Sequence, residues 1–314
     1  MNSLIVGTRG SQLARRQAEL FQELIVKISP FTKVEVNIIK TRGDATLERP
    51  STGVSEKSLF TKELEEELLS GQIDVAVHSG KDLSSRTPAG LAIGAVLKRG
   101  ERSDAFCSVK YDRFDALPKS ASVGTSSIRR RAQILLRRPD LEVLSLRGNV
   151  ETRLRKLKDG HYDAVVLAAC GLERLNLDQA IRERFDAKTF LPAPAQAAIV
   201  IQYRVDRDEV GSFLKSTSHE ASFCEVKAER ALLERLEAGC WIPLGASAEV
   251  KKEALVLSAG LFSPNGERSV VRRMEGSVKD PVALGWQMAK ELLRSGGQQI
   301  LDELHEFFKH QGKA

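Results

Sequence analysis

Residues 71–88 read GQIDVAVHSGKDLSSRTP. A Gly-x-x-Asp turn opens a short apolar run, Ile73 to Val77, whose β-rich character predicts a buried strand. Lys81 and Asp82 follow almost at once, a cation and an anion side by side. Strand ends are where α/β proteins place their ligands, so the two charges mark a candidate site. The opening recurs in GHYDAVVLA, residues 160–168. A second pair of matching stretches precedes it, LIVGTRGSQLARRQA at 4–18 and ASVGTSSIRRRAQ at 121–133. Both pairs come in the same order. The chain therefore reads as two related α/β lobes, each running strand, VGT loop, helix, and later helix, Gly, strand. No solenoid period fits.

The elements around these anchors agree. Leu4 to Val6 is a strand, and Ser11 caps a helix to about Lys27 with Leu13, Leu20, Leu24 and Ile28 on one face. KVEVNII alternates as a strand, and LFTKELEEELLSG is an amphipathic helix stopped by Gly71. This alternation predicts mostly parallel sheets covered by helices. Proline-rich LPAPAQ, residues 191–196, reads as an inter-domain hinge before the strand AAIVIQYR. Beyond it come a helix over 222–238 ended by Gly239, a hairpin with Asn265-Gly266 at its turn, and two helices, the last reaching about Phe308. The expectation is two α/β lobes and a smaller α+β domain. Their bounds are 1–97 with 198–215, then 98–197, then 216–314.

Composition narrows the function. Across 314 residues the hydrophobic share is 42% and the charged share 29%, values of a globular chain. No apolar run approaches a membrane span. The N-terminus lacks the basic-then-apolar pattern of a secretory signal. The four cysteines, Cys107, Cys170, Cys224 and Cys240, form no CxxC pair, so neither zinc nor a disulfide framework is expected and a reducing cytoplasm is. No metal requirement is visible, and the five histidines make no ligand cluster.

Charge is unevenly placed. Residues 127–158 hold eight Arg and two Lys against three acids, a local +7 in a chain whose net charge is +6. That excess suggests an anionic partner. Nucleic acid fits poorly, because residues 121–160 contain no Phe, Tyr or Trp on which bases could stack. A small polycarboxylate fits better. VGTRGS and VGTSS each join a strand to a helix, where backbone N–H groups suit an oxyanion; one such loop alone reads as an ordinary turn with Ser11 or Ser127 as helix cap, but two copies facing one cleft favour anion binding. Arg147 stands at a strand end before Gly148, whereas Arg137, Arg138, Lys156 and Lys158 suit a solvated helix face. Cys170 suits a buried apolar position. Cys240, in a loop bounded by Gly239 and Pro243, is the candidate for covalent chemistry.

In order along nearly the whole chain stand VGTRGSQLARRQ, TRGD, LFTKELEEELL, DVAVHSGKD, VGTSSIRRRAQ, LRGNVETRLRKL, GLERL, LPAPAQAA and ERALLERLEAGCWIPLGA. Together they closely resemble the porphobilinogen deaminase family, the hydroxymethylbilane synthases. The resemblance implies two lobes like those of periplasmic binding proteins around a cleft, and a monomer. It implies a dipyrromethane cofactor joined through a thioether to Cys240. Four porphobilinogen units are added to that primer with loss of ammonia, and hydroxymethylbilane is released. Asp82 matches the family's catalytic aspartate, which steadies the cationic pyrrole and helps move protons; Lys81 pairs with an acid group. Lys81, Asp82, Ser127, Arg129, Arg130, Arg147 and Gly148 match cofactor-binding positions. Arg9, Ser11, Phe60, Arg153, Arg174 and Gln196 match substrate-binding ones. A non-catalytic anion receptor on the same two lobes is the alternative.

The sequence departs from the family in places. The usual LPAPGQGALGIE is LPAPAQAAIVIQ here, with Ala195 and Ala197 for glycines and Gln202 for a glutamate, a change expected to stiffen the hinge. Gly80 stands where a larger residue is common. Ser55, Glu56 and Ser58 stand where a glycine-rich loop is usual.

Overall fold

The computed structural model of the chain describes residues 1–41, 58–236 and 242–310, except the side chains of residues 58–60, 305 and 308–310. The first lobe opens with β1 (Ser3–Arg9), α1 (Gln12–Ile28), β2 (Lys33–Ile39), α2 (Ser58–Ser70), β3 (Val75–Ser79) and β4 (Leu91–Val96). The chain then crosses to the second lobe: β5 (Asp104–Ser108), β6 (Ser122–Gly124), α3 (Ile128–Arg137), β7 (Glu142–Leu144), α4 (Val150–Lys158), β8 (Ala164–Ala168), α5 (Ala169–Arg174) and β9 (Glu183–Arg184). It crosses back as β10 (Ile199–Arg204), followed by α6 (Asp208–Thr217) and α7 (Glu220–Arg235). The last region is β11 (Leu244–Lys251), β12 (Ala254–Phe262), β13 (Ser269–Ser277), α8 (Pro281–Leu292) and α9 (Gln298–His310).

The two large sheets have matching orders, β2-β1-β3-β10-β4 and β7-β6-β8-β5-β9. In each, two parallel pairings flank the VGT strand, and one strand, β10 or β5, runs against its two neighbours. Four of five strands in each sheet thus share a direction, the mostly parallel arrangement expected. The repeat in the sequence is a repeat in the fold. What the sequence did not reveal is that each lobe's one reversed strand arrives by a crossover, β5 straight after β4 and β10 only after the whole second sheet.

Helix α1 packs on the first sheet through Ala14, Ala18, Phe21 and Ile25, not through the leucine row expected of it. Leu20 and Leu24 flank that face half-buried, and Ile28 is exposed. The small alanines let the helix axis approach the sheet, and the bulkier leucines then fall at its margins. The core between them gathers Leu4, Val6, Val75, Val77, Ile201 and Leu214. The second lobe centres on four aromatics, Phe106, Phe114, Phe185 and Phe190, in edge-to-face and stacked contact. The third sheet is antiparallel, order β11-β12-β13. Its hairpin turns at Gly266 with φ +78° as expected, and it packs against α7 and α8 through Ala228, Leu232, Leu257, Leu284 and Met288.

Candidate active-site cleft

Strand β3 delivers the paired charges. Gly80–Asp82 form a single 3₁₀ turn closed by Leu83 N–H donating to Gly80 O at 3.3 Å. Gly80 N–H donates to Ala198 O at 2.9 Å, and Gln17 Nε2 donates to Ser79 Oγ at 2.8 Å, so the strand end is tied to the returning crossover and to α1. Leu83 is buried beyond the turn and anchors it. Lys81 faces a cavity of about 70 Å³ between the lobes, lined also by Arg130, Arg153, Arg174, Cys170, Ala195 and Ala197.

Cations dominate this space. Burial holds the Lys81 ammonium below its usual range, Arg130 pushes it further, and Asp82 opposes both. Arg153 is pushed down to about 10, first by burial and then by Arg130, again against Asp82. Burial lowers Arg174 as well. Desolvated guanidinium and ammonium groups this close make a strong positive field, which favours an anion more than water does. One carboxylate, that of Asp82, enters the field from the first lobe and reaches Arg153 of the second.

Arg129 and Arg130 share one buried partner. Asp104 is fully buried; Arg130 Nη2 meets its Oδ1 at 2.6 Å and Arg129 Nη1 its Oδ2 at 2.7 Å. Burial alone would raise the Asp104 pKa, but the two guanidiniums outweigh it and hold the carboxyl below the ordinary range. Gln196 Nε2 donates to the same Oδ1 at 3.0 Å and to Arg102 O at 2.7 Å. Arg129 Nη1 also donates to Leu191 O at 2.6 Å, so it serves the crossover, while Arg130 both binds Asp104 and lines the cleft.

The glycines of the two VGT loops have a packing explanation. A Cβ on Gly7 would lie 2.3 Å from Ile73 Cδ1, and one on Gly124 would lie 2.9 Å from Tyr162 Cδ1. Ile73 and Tyr162 occupy the same place in the two Gly-x-x-Asp turns, so each lobe repeats the contact. Ser11 Oγ accepts from Ala14 N–H at 3.3 Å, and Ser127 Oγ accepts from Arg130 N–H at 3.4 Å. Both serines cap helices.

The other expected residues divide. Gly148 needs to be glycine, with φ +115° and Thr152 Cγ2 2.7 Å from where a Cβ would stand. Its carbonyl accepts from Arg153 Nε at 2.8 Å, and neighbouring Arg147 accepts through its carbonyl from Lys156 Nζ at 3.3 Å. Arg9 ends β1 within electrostatic reach of His78. Cys240, the Phe60 side chain and the loop with Ser55 and Glu56 lie outside the described residues, as does Gly239. Arg137 and Arg138 are not merely solvated. Arg137 stacks 5.2 Å from the Phe190 ring centre and 5.8 Å from that of Phe185, and Arg138 pairs with Asp140 at 2.6 Å. Aromatic faces beside a helix attract a guanidinium that would otherwise stay in water.

Sequence reading passed over two residues and half of a third. Asp104 opens β5, and nothing in its flanking residues tells that it neutralises two arginines. Glu229 on α7 is fully buried and accepts from Arg99 at 2.7 and 2.9 Å, from Ala195 N–H at 2.5 Å and from Ala248 N–H at 2.6 Å. Its signal was an acid within an apolar helix face. Cys170 is buried as expected, yet it forms part of the cleft wall.

Two α/β lobes with a cation-lined cleft between them, one carboxylate at its edge and a third α+β region define a two-lobed α/β protein whose cleft chemistry suits an anion. Residues 4–212 match the model of the porphobilinogen deaminase dipyrromethane cofactor binding domain, and residues 223–294 that of the porphobilinogen deaminase C-terminal domain. The chain belongs to the porphobilinogen deaminase family. It is 43% identical over 307 residues to the porphobilinogen deaminase of Nitratidesulfovibrio vulgaris, covering 97% of this chain and 98% of that protein. To that of Roseiflexus sp. it is 42% identical over 299 residues, 95% and 98% of the two chains. Among solved structures the methionine binding protein MetQ superposes with a TM-score of 0.45 at 15% identity, over 69% of this chain and 89% of that one. Family membership bears out the expected enzyme of tetrapyrrole biosynthesis, one that polymerises porphobilinogen with a dipyrromethane cofactor, and does not favour the receptor alternative.

Proposed function

We propose that the cleft between the lobes carries out this polymerisation with Asp82 as the catalytic carboxylate and Cys240 as the point of cofactor attachment. The observation that carries the reading is the convergence of Lys81 and Asp82 from β3 with Arg130, Arg153 and Arg174 from the second lobe. A dipyrromethane bears several carboxylates, and this set of desolvated cations fits such a group. Lys81, Ser127, Arg129, Arg130, Arg147 and Gly148 would hold it, Arg129 mainly by fixing the crossover. When bound, the cofactor supplies the nucleophilic pyrrole carbon that is extended.

The protein's own groups do the rest. Arg153, Arg174, Arg9, Ser11 and Phe60 orient the incoming substrate through its acid groups and ring, whereas Gln196, expected among them, is buried against Asp104 and acts only by holding that carboxylate beneath Arg130. Guanidinium forks suit carboxylates, and buried ones bind them strongly. Asp82 stands where the incoming pyrrole turns electron-poor as ammonia leaves. Its carboxylate accepts from the pyrrole N–H and stabilises that charge by a fixed field of opposite sign. It is also placed to take up the proton displaced when the new bond forms. A trough of cations alone would repel such a ring, which is why a single anion there matters.

The division into 1–97 with 198–215, 98–197 and 216–314 agrees with the sheets each part contributes to. We read the enzyme as a cytoplasmic monomer that does not bind nucleic acid. Among the described residues no helix is long and apolar enough to cross a membrane, and no group of His, Cys, Asp and Glu is arranged to hold a metal.

Intact-mass measurement tests the reading. Purified protein should exceed its sequence mass by one dipyrromethane, and Cys240→Ala should lack the addition. Asp82→Asn should keep the addition and lose most turnover. A wild-type chain that stays at sequence mass after incubation with porphobilinogen overturns the assignment of Cys240; undiminished turnover in Asp82→Asn overturns that of Asp82.

A further inference from the structure

Gly80 and Ala195 meet beneath the paired charges. A Cβ on Gly80 would stand 3.0 Å from the Ala195 methyl, 3.0 Å from Val200 Cγ2 and 3.1 Å from Ala195 O. The methyl of Ala195 therefore fills the space that a side chain at position 80 would need. Ala195 is itself unusual, with φ +58°, and Ala197 follows at +69°. Alanine enters this left-handed region only at a cost in energy, so surrounding contacts must hold it there. Those contacts are present. Ala195 N–H donates to the fully buried Glu229 carboxylate at 2.5 Å, and Ala197 O accepts from Arg174 Nη2 at 2.5 Å. Ala198 O accepts from Gly80 N–H at 2.9 Å.

The strap from Ala195 to Ala198 thus touches the turn bearing Lys81 and Asp82 on one side and a cleft arginine of the other lobe on the opposite side. We infer that Ala195, seated against Gly80, is a positioning residue: it sets the height of the Lys81–Asp82 turn in the cleft and its distance from Arg174. A methyl group filling the space that a side chain at position 80 would need is a stiff support, because neither residue has a rotamer to change. The left-handed backbone at 195 and 197 shapes the strap whose Ala197 and Ala198 carbonyls fix Arg174 and Gly80. The inference rests on the functional reading above for its catalytic consequence, but its structural half stands without it.

The test uses Ala195→Gly, Gly80→Ala and the double variant in the full-length chain. Ala195→Gly removes the support and relieves the left-handed alanine, so its Tm should stay level or rise by about 1–3 °C. In the protein without cofactor, the amides of Gly80 and Leu83 should exchange about tenfold faster than in wild type, because local opening becomes easier. In the loaded enzyme kcat should fall about tenfold while KM moves less than about twofold, the pattern of a misplaced catalytic group. Gly80→Ala should lose more, and Gly80→Ala with Ala195→Gly should recover part of that loss. Unchanged exchange at Gly80 and Leu83 in Ala195→Gly overturns the inference, as does a double variant no better than Gly80→Ala. A wild-type chain without turnover counts against the functional reading, and the exchange rates then decide the structural half.

Discussion

Asp74 and Asp163 make the same hydrogen bond in different sheets. Asp74 Oδ2 accepts from Ile5 N–H at 2.8 Å, and Asp163 Oδ2 accepts from Ser122 N–H at 2.9 Å. In return the amides of Asp74 and Asp163 donate to the carbonyls of Ile5 and Ser122 at 2.9 and 3.0 Å. Ile5 and Ser122 each precede the Val-Gly-Thr of their lobe, so the aspartates lock the incoming strand to the VGT strand beside it. Asp74→Ala and Asp163→Ala should each cost about 1–3 kcal/mol, the penalty for leaving a partly buried amide without its acceptor. Urea unfolding monitored by circular dichroism checks the pair, and similar losses are expected for both.

Asp104 should be far more sensitive. Asp104→Asn leaves Arg129 and Arg130 buried without a counter-charge, and breaking a buried pair in this way costs about 3–5 kcal/mol. The same carboxyl sets an acid limit. Its folded pKa lies below the ordinary value, so its contribution is complete above that value and is lost as pH falls from about 4 downward. Thermal melts from about pH 4 down to about pH 2 should show a steep loss of Tm in wild type and a shallower one in Asp104→Asn.

His78 governs a milder range. It is 4% exposed on β3 and its pKa is pushed down from 6.5 to about 4, mainly by burial, against a hydrogen bond with Gln202 and with help from Arg9 and Arg230. Glu65 lies on the same side, bonded to Gln202 Nε2 at 3.2 Å. The unfolded chain therefore takes up a proton before the folded one does. Stability should be full above pH 6.5 and decline toward pH 4, by at most about 3 kcal/mol from this group. His78→Gln should flatten that part of the Tm profile.

Gly148→Ala should move the cleft without touching its charges. An alanine at φ +115° is strained, and its methyl would press on Thr152. A loss of about 1–3 kcal/mol is expected. Because Gly148 O holds Arg153 Nε, porphobilinogen KM should rise several-fold as well. Steady-state kinetics on the loaded enzyme measures it.

Much of this was legible beforehand. Two ordered string matches predicted two matching lobes, and the Lys81–Asp82 pair at a strand end predicted one edge of the cleft. Local pattern carries that information, since the strand, loop and helix lie within a few residues of one another. The hidden parts are long-range. Nothing near Asp104 tells that Arg129 and Arg130 will fold against it. The VGT glycines looked like an anion cradle because their true neighbours, Ile73 and Tyr162, are distant in sequence. Arg137 looked solvated because its aromatic partners lie about fifty residues on. The leucines of α1 outweighed its alanines in the helical pattern, although close packing favours the smaller side chains.

The borrowed strand has a consequence for synthesis. All five strands of the second sheet, residues 104–184, leave the ribosome as one uninterrupted run. The first sheet keeps a gap between β3 and β4 until β10, residues 199–204, has emerged. The lobe begun first is thus closed only after the second sheet is complete, and Asp82 gains its final setting only once β10 has paired with β3.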